Sequence, residues 1–175
     1  KDGLYSALVT FPMHPRQVIQ TTYHPQLLSS PKEKLELLET TQVDYCLLLP
    51  FTQKLSLLSA REFMQLLRNK FNIHTLVIGY DHRFGHNRSE SFEDYCRYGE
   101  ELNIYIVRAR AYTDGEDKIS SSVIRQLLKE GKVSQAAQFL GYNYYLDGTV
   151  VDGYKVGRKI GFPTANLQVD CSDKL

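Results

Sequence analysis

The sequence predicts an α/β fold with a parallel sheet, followed after Gly141 by the start of an all-β unit. Three observations predict it. Four short apolar runs alternate with capped helical segments through Ala109. These runs are apolar throughout, as strands covered on both faces are. Beyond Gly141 the texture changes to tyrosines, β-branched residues and closely spaced glycines.

Each element has a local reason. Leu4 to Phe11 is a β-rich apolar run, and a loop with Pro12, Pro15 and Pro25 follows it. Ser30-Pro31-Lys32-Glu33 opens a helix to about Thr41: serine caps, proline suits the first turn, and glutamate completes a capping box. Val43 to Leu49 reads as a second strand. Ser59-Ala60-Arg61-Glu62 opens another helix, to Phe71. His74 to Gly79 is a third strand, Asp81 to Ser89 a polar loop, Glu90 to Asn103 a helix, and Ile104 to Ala109 a fourth strand. A helix from Ser120 to Glu130 ends at Gly131, and one from Ser134 to Leu140 ends at Gly141; both glycines suit left-handed caps. The expected domains are therefore residues 1–140 and 141–175.

Composition bounds the function classes. The 175 residues are 42% hydrophobic and 23% charged, which excludes long disorder, collagen-like repeats and mucin-like stalks. Lys+Arg is 21 against Asp+Glu 20, a net charge of +1. Nothing in that balance points to nucleic acid or an acidic membrane surface. Apolar runs such as Cys46 to Leu49 are far too short to span a bilayer, and the opening residues have no signal-peptide pattern. Cys46, Cys96 and Cys171 are widely spaced and odd in number. They read as buried or half-buried thiols in a reducing cytoplasm, not as a disulfide framework or zinc site.

Four constellations carry potential chemistry. Thr10 to Pro15 holds His14 between prolines at the end of the first strand, either a binding-edge histidine or a turn with a partly exposed one. Gly79 to Gly85 (GYDHRFG) follows the third strand: Asp81 accepts hydrogen bonds, Arg83 meets a phosphate, and Phe84 stacks on a flat ring. Asp81, His82 and His86 make at best a weak metal set, lacking regular ligand spacing. Ile119 to Arg125 (ISSSVIR) places Ser121, Ser122 and backbone N–H groups at a helix start, with Arg125 one turn in. It reads as a phosphate cradle or as a redundant cap. Gly157 to Asn166 (GRKIGFPTAN) sets Arg158 and Lys159 between glycines, a tight phosphate-binding turn. Thr164 and Asn166, at i and i+2, share one face of an extended segment and offer hard oxygen ligands for Mg²⁺.

In order along the whole chain, VTFPMHP, LLPFT, VIGYDHRFG, ISSSVIR, LGYNYYLDGTVV and GRKIGFPTANL resemble the bacterial bifunctional riboflavin kinase / FMN adenylyltransferase, or FAD synthetase, family. The resemblance implies a Rossmann-like nucleotidyltransferase domain followed by a riboflavin kinase β-barrel. It implies ATP, riboflavin and FMN as substrates, Mg²⁺ as the metal, and a cytoplasmic enzyme with no nucleic-acid or membrane partner. It implies flavin binding by positions matching Asp81 and Phe84. Phosphate binding falls to Ser121, Ser122 and Arg125, with Arg125 catalytic, and to Gly157 and Arg158. Thr164 and Asn166 match the pair that binds Mg²⁺ and nucleotide phosphate.

The sequence also departs from that pattern. The glycine-rich signature with its His-x-Gly-His-like pair is absent, and His14 belongs to a later His-Pro motif. The kinase's usual glutamate base is absent too. Ser122 stands where threonine is commoner, and Lys118 where arginine is; both keep the chemical type. These departures lead us to expect part of a longer protein, nearly inactive by itself. Two other readings are an adenylyltransferase for another nucleotide acceptor and a non-catalytic flavin- or nucleotide-binding module. The GFPTAN run argues against the first, and FMN binding without turnover would favour the second.

Overall fold

Capping chemistry sets most helix boundaries in the computed structural model, which describes residues 3–20, 22–111, 113–114 and 117–175. The chain forms two compact units: Lys1–Tyr23 with Val43–Lys118, and His24–Gln42 with Ile119–Leu175.

In the first unit, β1 (Ala7–Thr10) pairs in parallel with β2 (Tyr45–Leu48). Asp44 Oδ2 accepts from both the N–H and the hydroxyl of Ser6, each at 2.7 Å, and locks the entry to this pair. The Ser6 backbone N–H is the main reason the Asp44 carboxyl is held below its usual range. α1 (Pro15–Ile19) and α3 (Gln53–Ser56) are one-turn helices after the two strands. α4 (Ala60–Phe71) and α5 (Phe92–Leu102) flank β3 (Thr75–Ile78), which pairs in parallel with β4 (Tyr105–Arg108). β5 (Thr113–Asp114) and β6 (Asp117–Lys118) form an antiparallel ladder.

Ser59 and Ser91 cap α4 and α5 with complete capping boxes to Glu62 and Asp94. The serine backbone N–H groups are the main cause that holds both carboxyls below their usual range. The predicted start at Glu90 shifts to Phe92, with Ser91 as the cap, because serine caps better than glutamate.

The core of this unit joins Ala60 and Met64 of α4, Ile78 of β3, Tyr95 of α5 and Ile104. Burying a side chain such as Met64 contributes about 2 kcal/mol. At Gly99 an added Cβ would meet Ile104 O and Ile106 Cγ1 at 2.6 Å, so glycine is what lets α5 lie so close to β4.

The expected sheet covered on both faces is corrected here. The parallel strands form two-stranded pairs, and Val77 and Tyr105 remain 63% and 73% exposed. Leu76, Ile78 and Ile106 face the core while their apolar neighbours face out. A two-stranded ribbon covered on one side buries alternate residues, whatever the hydropathy of the other face.

The second unit contains α2 (Pro31–Glu39), α6 (Ser121–Lys129), α7 (Val133–Leu140), β7 (Gly148–Val151), α8 (Val156–Lys159) and β8 (Asn166–Val169). Ile124, Leu127 and Ala136 form its core, packed by Leu28, Ile119 and Phe139. After α6, Lys132 N–H bonds Leu127 O and Gly131 N–H bonds Leu128 O, the paired bonds of a Schellman turn. β7 and β8 are antiparallel, Gly148 opposite Val169 and Val151 opposite Asn166.

A buried ion pair joins α2 to the end of the chain. Glu33 Oε2 accepts from Ser30 N–H, while Oε1 meets Lys174 Nζ at 2.5 Å; both side chains are 2% exposed. Lys174 also lies over the rings of Tyr144 and Tyr145 and donates to Tyr145 O. Burial pushes the Tyr142 and Tyr144 phenols up. Among the cysteines, Cys96 and Cys171 are half-buried as expected, but Cys46 is exposed on β2.

Candidate functional site

The β3–α5 loop is the better braced of the candidate regions. His82 N–H bonds Gly79 O at 3.0 Å, closing a turn directly after the strand. Arg108 Nη2 donates to Tyr80 O at 2.9 Å and Arg88 Nε to Arg83 O at 3.2 Å. His86 N–H bonds Leu58 O at 2.8 Å. Gly85, at φ +94°, lies against α4, where a Cβ would stand 2.6 Å from Ala60 N. Only glycine fits both that backbone and that approach.

Asp81, His82 and Arg83 are exposed on this braced loop, and Phe84 is half-buried. One face of the Phe84 ring is stacked on Tyr95, centroids 4.5 Å apart and planes 12° apart. Phe63 meets it edge-on at 5.6 Å. The expected flavin residues Asp81 and Phe84 thus lie on one loop with different exposures.

In the second unit, Ser120 Oγ accepts from Val123 N–H and caps α6. Ser121 and Ser122 are exposed at the first two helical positions, where the helix dipole is positive. Arg125, one turn on, donates Nε–H to Gln26 O at 2.6 Å. Ser121, Ser122 and Arg125 therefore share one helix end, and Arg125 also ties the segment before α2 to it.

Gly157 and Arg158 lie in α8, and Asn166 opens β8. A Cβ at Gly157 would collide with Phe162 O and stand 3.2 Å from Thr164 Oγ1. One at Gly153 would collide with the Asn166 amide. The two glycines let the backbone pack directly against Thr164 and Asn166, whose hydroxyl and amide oxygens have the chemistry of hard-cation ligands. Arg158, Thr164 and Asn166 are exposed.

His14 is half-buried and caps α1, its Nδ1 accepting from Arg16 N–H at 3.2 Å. That is the turn reading of the histidine. A surface cavity of about 390 Å³, lined by Ser30, Lys32, Asp147, Asp170 and Cys171, contains none of the predicted site residues.

Comparison with known proteins identifies the family. The family model described as FAD synthetase matches residues 1–123. The chain belongs to the FAD synthetase family. The riboflavin kinase model matches residues 140–175 of this FAD synthetase-family chain. Similar relatives named bifunctional riboflavin kinase/FMN adenylyltransferase come from Listeria monocytogenes and Escherichia coli. The first is 35% identical, covering 97% of this chain and 54% of the relative. The second is 33% identical, covering 95% and 54%. A solved structure named Macrolide-efflux Protein from Streptococcus pneumoniae superposes with TM-score 0.84 at 31% identity, over 97% of this chain and 55% of that one. The FAD synthetase-family chain spans about half the length of the curated relatives it matches. Among the described residues, no helix is long and apolar enough to cross a membrane.

Sequence reasoning missed three contributors to these geometries: Tyr95, Gly85 as a contact of α4, and the bond from Arg125 to Gln26. Tyr95 was legible only as an apolar helix position. What its hydroxyl meets depends on a loop eleven residues away.

Proposed function

We propose that this chain belongs to a bifunctional cytoplasmic transferase that phosphorylates riboflavin to FMN and adenylylates FMN to FAD. The observation that carries this reading is the order of the matches in one chain: FAD synthetase over 1–123, then riboflavin kinase over 140–175. The name of the solved S. pneumoniae structure contributes nothing to it. We assign residues 1–140 to adenylyl transfer and 141–175 to the start of a kinase β-barrel.

Adenylyl transfer needs alignment and charge neutralisation, with no covalent enzyme intermediate. An FMN phosphate oxygen attacks the α-phosphorus of ATP in line. The bond from α-phosphorus to the bridging oxygen breaks, and pyrophosphate leaves. Asp81 and Phe84 hold the flavin. Ser121 and Ser122, at the positive end of α6, bind phosphate oxygens, and the Arg125 guanidinium neutralises charge as it develops. In the kinase reaction, Gly157 and Arg158 shape the phosphate turn. Thr164 and Asn166 would hold Mg²⁺ through their side-chain oxygens. When bound, that ion would supply neutralisation of the phosphate charge.

The test uses the full-length gene product with ATP, Mg²⁺ and FMN, the flavins being separated by chromatography. ATP-dependent FAD is the expected result. A folded, intact protein that makes no FAD overturns the adenylyltransferase reading. FMN binding without any turnover of FMN or riboflavin would instead identify a binding module.

A further inference from the structure

Tyr95 has a bonding pattern that its place in the apolar face of α5 does not require. Its side chain is buried, with the residue 1% exposed, yet its hydroxyl meets the main chain of one residue twice. It accepts from Phe84 N–H at 3.1 Å and donates to Phe84 O at 3.3 Å. Its ring also stacks on the Phe84 ring at 4.5 Å. One side chain thus fixes both the backbone and the ring of Phe84.

The other braces of this loop differ in kind. Arg88 and Arg108 are exposed side chains, whose bonds compete with water. The bond from His82 to Gly79 is local and sets a turn without anchoring it to the core. The Phe84 main chain, left without Tyr95, would present a partly buried N–H and C=O with no partner. Further along the loop His86 N–H bonds Leu58 O and Gly85 packs on Ala60, but it is Tyr95 that joins the packed core of Met64 and Ile78 to the Phe84 main chain, next to the exposed Asp81, His82 and Arg83.

We propose that Tyr95 is a positioning residue for flavin recognition, acting through Phe84 to hold the loop segment from Asp81 to Phe84 in its binding geometry. This rests on the FMN adenylyltransferase reading given above. Preorganised turns bind more tightly because less ordering entropy is lost on association. The effect belongs to flavin affinity, since Tyr95 is buried and acts on the loop only through Phe84.

The experiment compares the full-length gene product with its Tyr95→Phe and Asp81→Ala variants. FMN affinity is read by flavin fluorescence, and KM and kcat by FAD formation. Tyr95→Phe keeps the stacked ring and removes only the hydroxyl. It should raise the Kd and KM for FMN about fivefold to tenfold, the worth of roughly one hydrogen bond. The KM for ATP and the kcat at saturating FMN should stay within about twofold, because uniform binding alone has been lost. Amide exchange at Phe84 should quicken relative to Met64 and Leu67, a reading that needs no turnover. A merely structural role would lower the melting temperature and the active fraction while leaving the KM for FMN unchanged, and that result overturns the proposal. If Asp81→Ala weakens FMN binding and Tyr95→Phe does not, the proposal alone fails. If neither variant alters FMN binding, the assignment of flavin to this loop fails, and the proposal with it.

Discussion

Arg125 shows how much one residue is asked to do. Its place one turn into α6 was legible from spacing, because i and i+4 positions lie on one face. Its bond to Gln26 O was not, since Gln26 is ninety-nine residues away in the chain. Arg125→Ala should slow FAD formation in the full-length protein by about 10²-fold, as loss of a charge contact made in the transition state often does. Steady-state rates at saturating ATP and FMN check this, and an unchanged rate removes Arg125 from the site. Riboflavin phosphorylation in the same variant should persist. Phe84 teaches the complementary lesson. An aromatic residue in a polar loop suggested stacking on a flat ring, yet one ring face is already against Tyr95. Residue type gives the chemistry a side chain can perform, and packing decides which of its faces is available.

At the scale of elements, the helix starts were the most legible features. Ser30 with Glu33 and Ser59 with Glu62 cap as the sequence indicates, because a capping box is complete within four residues. Strand ends moved inward by one to three residues, since pairing stops where the partner strand stops. The short helices α1, α3 and α8 were not read from sequence, as four or five residues carry too little periodicity. Glu33 was legible as a cap but not as half of a buried ion pair. Lys174→Met should destabilise the protein by about 3–5 kcal/mol, because it leaves the Glu33 carboxylate buried without its cation. Glu33→Gln combined with Lys174→Met should recover most of that loss, since glutamine still completes the capping box. Urea unfolding of the two variants decides it: a single variant as stable as the parent would show that the pair contributes nothing.

For the whole molecule, the central expectation is that two reactions occupy two separate residue sets. Asn166→Asp or Thr164→Ala should impair FMN formation from riboflavin about 10²-fold while FAD formation from supplied FMN continues, given what such charge-stabilising contacts contribute. Equal loss of both reactions would contradict separate sites. The motif order was readable because each motif is a short run whose chemistry is local. The α/β class and parallel pairing were also determined by the sequence itself, through capped helices alternating with β-rich runs. Tertiary structure alone decided that these strands form two-stranded pairs with Val77 and Tyr105 facing outward. It alone decided that His24–Gln42 clusters with Ile119–Leu175, that Tyr95 grips Phe84, and that Lys174 closes on Glu33. The physical reason is range. Capping, turn formation and hydropathy act over a few residues, whereas burial and hydrogen-bond partnership are settled by groups brought together from distant parts of the chain.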